Sequence, residues 1–557
     1  METFTAIKIE AYINSAWADL TPDVQTNPAP RVSGMGYSSH NFDDVVGDPA
    51  TFTFSLDNSA ACSGGVLGYY SPQGINRRTG WGVAVPVRLY FQYDGYTVYK
   101  FYGYIDNDGI TVETGRYAGR KVHVRASNWL KWAAEQNLAL MEYKTNMRID
   151  QGVYEVLNKC SRQPLTVRYS QGDLTFPTLF DGMRPDTKAI SELQKLAISE
   201  LGRIYISGGE ASGEILHIKN KDWITDLSVG DLAALNFVPT ETSQLTDKLL
   251  METGDEILEE GGGSILLDRS QQMLFYVSDG AGSYNEVNLR DVQVSYGKYM
   301  FNRARVTAYP RTVDAAVGVL WNSEEYITLA AGESITIRGQ YRNNTNPIIK
   351  ANGIEMVTPV ITTDYLMFAN SDGTGTNRSA DLVVAASFGT AEVELTLTNN
   401  NAATSYVTFL QVRGKGVYLN DPTEKVYNST TYTSTFGIIP KEFDFPYVAN
   451  MQDLFTFASK SDGTMFSGGI FTGYDKPLLY VDSVKIIANV SQLGMMSFLF
   501  GEPGKQMLMF EKVTNGGSDG GYGTVWGTMY IRGYSFEIVN GKTVNWYPTL
   551  TSSQITF

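Results

Sequence analysis

The residues of this chain that could do chemistry are few. His40, His123 and His217 are its only histidines. His123 and His217 fall in strand-like stretches, with no histidine, cysteine or carboxylate at the short spacings that metal-binding motifs use. They read as structural histidines. Gly516-Gly517-Ser518-Asp519-Gly520 matches the G-x-S-x-G pattern of a nucleophile elbow. That elbow needs a sharp strand-to-helix turn and a histidine base. Here the pattern lies in the glycine-saturated stretch Asn515–Gly523, no histidine follows it, and a turn is the expectation. Asn370-Ser371-Asp372-Gly373-Thr374-Gly375 places oxygen-bearing side chains at alternate positions, as calcium loops do. It lacks the bidentate glutamate that an EF-hand requires downstream, so a β-turn is expected and chelation is the test. Cys62 and Cys160 are too few for an iron–sulfur cluster or a disulfide framework and should pack as small hydrophobes. The carboxylates cannot be paired for acid–base work from spacing alone. No catalytic, cofactor-binding or metal-binding residue is assigned, and no cofactor is expected.

The elements around these residues are mostly strands. Phe4–Ile13 alternates, and Thr51–Asn58 alternates and ends in a turn. Val85–Tyr93 and Thr97–Asp106 meet at Asp94-Gly95, a strong hairpin signal. With Lys121–Ala126 these predict an antiparallel barrel or strongly bent sheet over residues 1–126. Ser127 is placed to cap a helix carrying Trp129, Leu130, Trp132 and Ala133. Ile149, Val153, Val156, Leu157 and Cys160 fall on one face of a second helix. A third is expected from Asp186 or Thr187, stopped by Gly202. Strands at Arg203–Ser207 and Ile215–Lys219 then complete a helical, α+β domain over 127–222.

Residues 223–312 carry a run of acids (Glu241, Asp247, Glu252, Asp255, Glu256, Glu259, Glu260) against Lys248. Such a run is usually a solvated face, or else lines a passage for a polyanion. Residues 313–440 are almost pure strand, at a spacing of about ten residues that suits an immunoglobulin-like sandwich. Val393, Leu395 and Leu397 should face inward while Glu392, Glu394 and Thr396 face water. In 441–557 a helix is expected at Val448–Lys460, and a closing hairpin turns at Asn540-Gly541.

Composition narrows the functional classes. The chain has 557 residues, 44 basic against 59 acidic, for a net charge of −15, and is 43% hydrophobic with 12% aromatic. It should split into roughly three to five domains. The negative charge disfavours avid binding to nucleic-acid phosphates or anionic lipid. Met1–Ala11 alternates as a strand rather than a signal peptide, and the apolar stretch Leu478–Phe500 is broken by Asp482, Lys485 and Asn489. A soluble, cytosolically made protein without a membrane anchor is expected.

The order of motifs is more telling than any one of them. Trp17, an alternating strand ending Leu56-Asp57-Asn58, the loop Tyr69-Tyr70-Ser71-Pro72 and the strand Phe101-x-Gly103-x-Ile105-Asp106 come first. A Trp-Leu helix follows, then a helix running into Arg203-Ile204-Tyr205-Ile206 and Ile215-Leu216-His217-Ile218, and later Gln411-Val412-Arg413-Gly414. This order resembles the tail hub, or baseplate hub, proteins of long-tailed bacteriophages. The resemblance implies a mainly β fold with α+β segments: tube-like antiparallel β-barrels, a small helical region and an inserted β-sandwich. The second barrel would come from segments on either side of the sandwich. It further implies a non-enzymatic virion protein of the tail tip, a homotrimer capping the tail tube around a channel for DNA. Its partners would be distal tail and tail tube proteins, the tape-measure protein, and a central fibre or receptor-binding protein. The iron–sulfur members of that family carry cysteine ligands that this chain lacks. No long central-fibre extension follows residue 557, which would leave host recognition to another protein. The rival expectation is a tail-fibre or surface adhesin that binds host carbohydrate through the sandwich or through exposed Tyr69, Tyr70 and Trp81.

Overall fold

In the computed structural model, the structure describes residues 3–38, 44–114, 120–138, 140–172, 174–183, 186–211, 213–220, 272–277, 289–343, 346, 348–430, 433–449, 479–490, 492–503, 506–511 and 524–551. His40, the serine loop at 516–520, the whole acidic run and the body of the helix expected at Val448–Lys460 lie outside these residues.

The fold is mainly β. Strands β1 (Ala6–Ile13), β2 (Ala16–Asp19), β3 (Arg31–Gly36), β4 (Thr51–Asp57), β5 (Pro86–Tyr93), β6 (Tyr96–Val112) and β7 (Lys121–Ser127) form one antiparallel run. Their order in the sheet is β3-β4-β7-β6-β5-β1-β2. The β5–β6 hairpin turns at Asp94 and Gly95, with φ of 49° and 79°. Two successive positive φ angles define the type I′ turn that matches strand twist. Alternation in β5 buries Val87, Leu89, Phe91 and Tyr93.

The sheet does not stop at β3. Strand Thr524–Val539 pairs with β3, and beyond it come Thr543–Thr551, Leu479–Ile487 and Leu289–Tyr296. Strands from both ends of the chain therefore share one sheet and one core. Phe52, Phe54, Phe91 and Phe101 from the first part pack in the same cluster as Phe498, Phe536 and Trp546 from the second. At 25 cal/mol per Å² of buried apolar area, each such ring is worth roughly 2–3 kcal/mol. The contact at the joint is glycine on glycine: Gly36 is the register partner of Gly533. A Cβ on Gly533 would stand 2.6 Å from the carbonyl of Met35 and 2.6 Å from the amide of Tyr37. Backbones this close leave no room for side chains. The closing hairpin turns as expected, with Asn540 at φ 52°, Gly541 at φ 68°, and the Lys542 amide donating to Val539 at 3.2 Å.

Beside this sheet lies a helical layer with its own core. It contains α1 (Trp129–Glu135), α2 (Ile149–Lys159) and α3 (Ala189–Glu200). The apolar face read for α2 is its buried face. Two expected helix ends are corrected. Asn128, not Ser127, is the N-cap of α1 and makes no side-chain cap bond, while Ser127 Oγ donates to Asp106 at 3.1 Å. Leu201 rather than Gly202 takes the left-handed turn after α3, at φ 58°. Gly202 is needed for another reason: a Cβ there would sit 2.5 Å from the Lys219 carbonyl.

The strands Arg203–Glu210 and Gly213–Lys219 form a hairpin in this layer, with Thr166–Tyr169 paired parallel to the second. A small sheet of Thr423–Asn428, Arg303–Ala308 and Pro440–Phe445 leads out from it. It carries two sheets that enclose Leu329, Met367, Val393, Leu395, Leu397 and Val412. One has three strands centred on Glu392–Asn399, and the other has six built on the long strand Ser405–Leu419. The alternation read for 392–397 holds for its apolar members, but Glu392 is buried rather than wet.

Candidate functional site

The polar clusters are tied into the sheet by their own neighbours. The densest lies where β6 bulges. Ile105 pairs with Ala126 and Ile110 with Val124, so Asp106, Asn107, Asp108 and Gly109 together face Arg125. Bulges of this kind re-aim side chains. Here the buried Asp106 carboxylate accepts from Arg125 Nε at 2.8 Å, Lys131 Nζ at 3.0 Å and Ser127 Oγ at 3.1 Å. Arg125 also bonds to Asp108. Arg162 stacks across Tyr104, 3.6 Å from its centroid, and Trp132, 4.6 Å away.

His123 has partners that short spacing could not reveal. Its Nδ1 lies 2.8 Å from Ser55 Oγ and its Nε2 lies 2.9 Å from Glu113 Oε1. Ser55 and His123 are register partners on β4 and β7, and Glu113 follows β6 on the other side of β7. A cross-strand triple of this kind is readable only once the pairing is known. The His123 hydrogen bond holds the Glu113 carboxyl below its ordinary value. The order serine, imidazole, carboxylate is that of a hydrolase relay, but hydrolysis also needs two N–H groups converging beside the hydroxyl. The backbone around Ser55 is engaged on both edges, by β7 and by the Val24–Leu56 bridge with the Gln25 amide on the Ser55 carbonyl. The triple acts as a staple across three strands. His217 is buried, stacked 4.7 Å from Tyr205 and 3.0 Å from Ser207 Oγ.

The oxygen-rich turn at 370–375 closes on itself. Asp372 accepts from the Thr374 amide at 2.9 Å and its hydroxyl at 2.6 Å, and Gly373 and Gly375 sit at φ 79° and 82°. Among the described residues no group of three metal-ligating side chains occurs. Both cysteines are buried thiols.

The aromatic loop after β4 corrects one part of the adhesin expectation, the exposure of its rings, of which only Tyr69 stays half-exposed. Tyr70 and Trp81 are buried, not displayed. Tyr70 Oη donates to the buried Asp23 at 2.6 Å, and Trp81 Nε1 donates to the Tyr70 carbonyl at 2.9 Å. Burial, then the hydrogen bond to Asp23, pushes the Tyr70 phenol up. The large hydrophobic side chains that the loop does expose are aliphatic: Val66, Leu67 and, fully, Ile75.

The remaining candidate is the sheet itself. Its order ends on β2 at one side and on Leu289–Tyr296 at the other, and among the described residues each end strand pairs on one edge only. β2 is short and carries a charge pair, Lys8 to Asp19 at 2.5 Å, with Arg88 over the Trp17 ring at 4.0 Å. Short, charged edge strands are how soluble proteins keep an edge from indiscriminate pairing. No helix among the described residues is long and apolar enough to cross a membrane.

No protein-family model and no curated protein matches the chain. Among solved structures it is similar to a tail protein from Neisseria meningitidis, at 8% identity over 99% of this chain and 98% of that one, with a TM-score of 0.41. It is also similar to the 43 kDa tail protein of prophage MuSo2 from Shewanella oneidensis, at 7% identity over 98% of both chains and a TM-score of 0.41. A prophage tail protein from Listeria monocytogenes aligns at 8% identity over 99% of this chain and 95% of that one, with a TM-score of 0.38.

Proposed function

We propose that this chain is a structural protein of a phage tail tip: a hub subunit that works by assembling into a ring. The observation that carries the reading is the sheet built from both chain ends, with an end strand on each side that a sister copy can complete. Completing an edge satisfies a row of backbone donors and acceptors that would otherwise invite uncontrolled pairing. The order of motifs in the sequence points the same way, and the polar clusters are cross-strand staples rather than convergent reacting groups. In this reading the chain is not an enzyme. It is a homotrimer in the virion that caps the tail tube and meets distal tail, tube and tape-measure proteins, with a central fibre or receptor-binding protein below.

DNA would pass through the ring without being held. The acids of 241–260 suit a lumen that repels phosphate, since lysine or arginine there would trap it. Copy number is the direct test. Native mass spectrometry of the purified chain should give a trimer that survives dilution, and a lasting monomer would remove the proposal.

A further inference from the structure

Glu214 is the most unusual ionisable group outside these staples. It is fully buried, and among the described residues neither of its carboxylate oxygens has a hydrogen-bond partner beyond its own amide. It is the second residue of the second strand of the Arg203–Lys219 hairpin, opposite the register shift between Ser207 and Glu210. Gly208 and Gly209 fill that shift. A Cβ on Gly208 would lie 2.3 Å from the Tyr99 carbonyl of β6, and one on Gly209 would lie 2.0 Å from the Gly213 carbonyl. The hairpin thus lies backbone to backbone on β6, and Arg88 Nη1 ties its tip by donating to the Ala211 carbonyl at 2.8 Å. A carboxylate held in such a seam strongly disfavours its own charge.

The groups around it do little to offset that. Tyr102 and Tyr104 of β6 and Arg162 are the ionisable groups that act on it or that it acts on. Arg162 spends its guanidinium on the Tyr104 and Trp132 rings. On the hairpin itself, Glu210 is exposed and paired with Arg168 at 2.7 Å, and His217 faces Ser207. Arg88 is paired with Glu10 at 2.6 Å, and Lys100 of β6 points away to the carbonyls of Leu499 and Gly501.

We infer that the hairpin is a proton-operated strap: Glu214 is protonated while the strap lies flat on β6, and its ionisation releases the strap and loosens the helical layer from the sheet. Burial is the dominant cause acting on Glu214 and pushes its carboxyl up to about 7, with only its own amide and the Arg162 charge pulling the other way. The sign follows from linkage. A raised carboxyl favours the closed form fully below the ordinary value of 4.5, and that advantage is lost as pH rises from there to about 7.

Hydrogen exchange of the amides in 203–219, corrected for the intrinsic pH dependence, tests the strap on the full chain. Opening should rise on the order of tenfold or more between pH 5 and pH 7.5 and then level off, while Glu214→Gln removes the rise. A pH-independent strap in the native chain, or an unchanged rise in E214Q, overturns the inference. Should E214Q fail to fold, carbon-13 NMR of the Glu214 carboxyl in the unaltered chain decides instead. Titration near neutrality supports the strap, and titration at the ordinary carboxylate value overturns it.

Discussion

The shared sheet and the sandwich are both mainly antiparallel β, yet they are built on opposite plans. The sandwich takes its strands from one contiguous stretch, and its core draws on residues 320–412 alone. The shared sheet takes strands from both chain ends, and residues about 500 apart meet in it, such as Gly34 and Ser535. The first plan lets a unit fold and be inserted as a decoration. The second makes the two ends interdependent, so that neither can be lost without opening the sheet. A part that must withstand load in an assembly suits the second plan, and a part that varies freely suits the first.

The sharpest way to break this contrast is at the glycine joint. Gly533→Val drives a side chain into the Met35 carbonyl and the Tyr37 amide. It should destabilise the shared sheet by more than about 3 kcal/mol. In denaturant melts followed by hydrogen exchange, the sandwich amides should keep their protection while those of β3 and 524–551 lose theirs. The converse change is Leu395→Ala, at a fully buried sandwich position. It should cost about 3 kcal/mol and lower the sandwich transition alone, with the oligomer intact by size-exclusion chromatography.

A smaller effect separates the two regions by acid. Asp364 is buried in the sandwich and accepts from Arg413 Nε at 2.5 Å and Nη2 at 2.9 Å, and from the Val360 amide at 2.9 Å. Burial alone would raise its carboxyl, but these donors and Gln411 together hold it below the ordinary value. A lowered carboxyl stabilises above the ordinary carboxylate range and loses that contribution as pH falls through its folded value. Asp364→Asn should therefore cost roughly 2 kcal/mol at pH 7 and remove the acid-sensitive part of the sandwich melt.

The smallest effect lies at the other end of the pH scale. Lys100 of β6 is buried, donates to Leu499 and Gly501, and lies 4.6 Å from the Tyr534 ring centroid. Burial pushes its amine down to about 8 against a weak opposing pull from Glu502. The unfolded chain then binds more protons than the folded one between pH 8 and the ordinary 10.5, so the shared sheet should gain stability across that window. Lys100→Met should flatten this gain in thermal melts and leave the sandwich unmoved.

Local elements were legible in the sequence where one signal governs them. Asp94-Gly95 and Asn540-Gly541 dictate their turns through positive φ, and the Ile149–Leu157 face dictates α2 by period alone. What could not be read is set by distant contact. Gly36 and Gly533 look like ordinary strand glycines until they face each other. Ser127 has the chemistry of a cap but is drawn to Asp106, which a bulge delivers from another strand. Tyr70 and Trp81 read as a display surface because Asp23, which Tyr70 bonds to, lies 47 residues upstream, and Trp81 in turn bonds to the Tyr70 carbonyl. His123 looked solitary because Ser55 and Glu113 are neighbours across strands and not along them.

The central claim is that the sheet made from both chain ends is completed by sister copies. Electron microscopy of the purified full chain tests it most directly. A ring of three copies around a central opening, with the sandwiches on its periphery and G533V failing to form it, is the predicted image. Isolated single copies at concentrations well above those of assembly would contradict it.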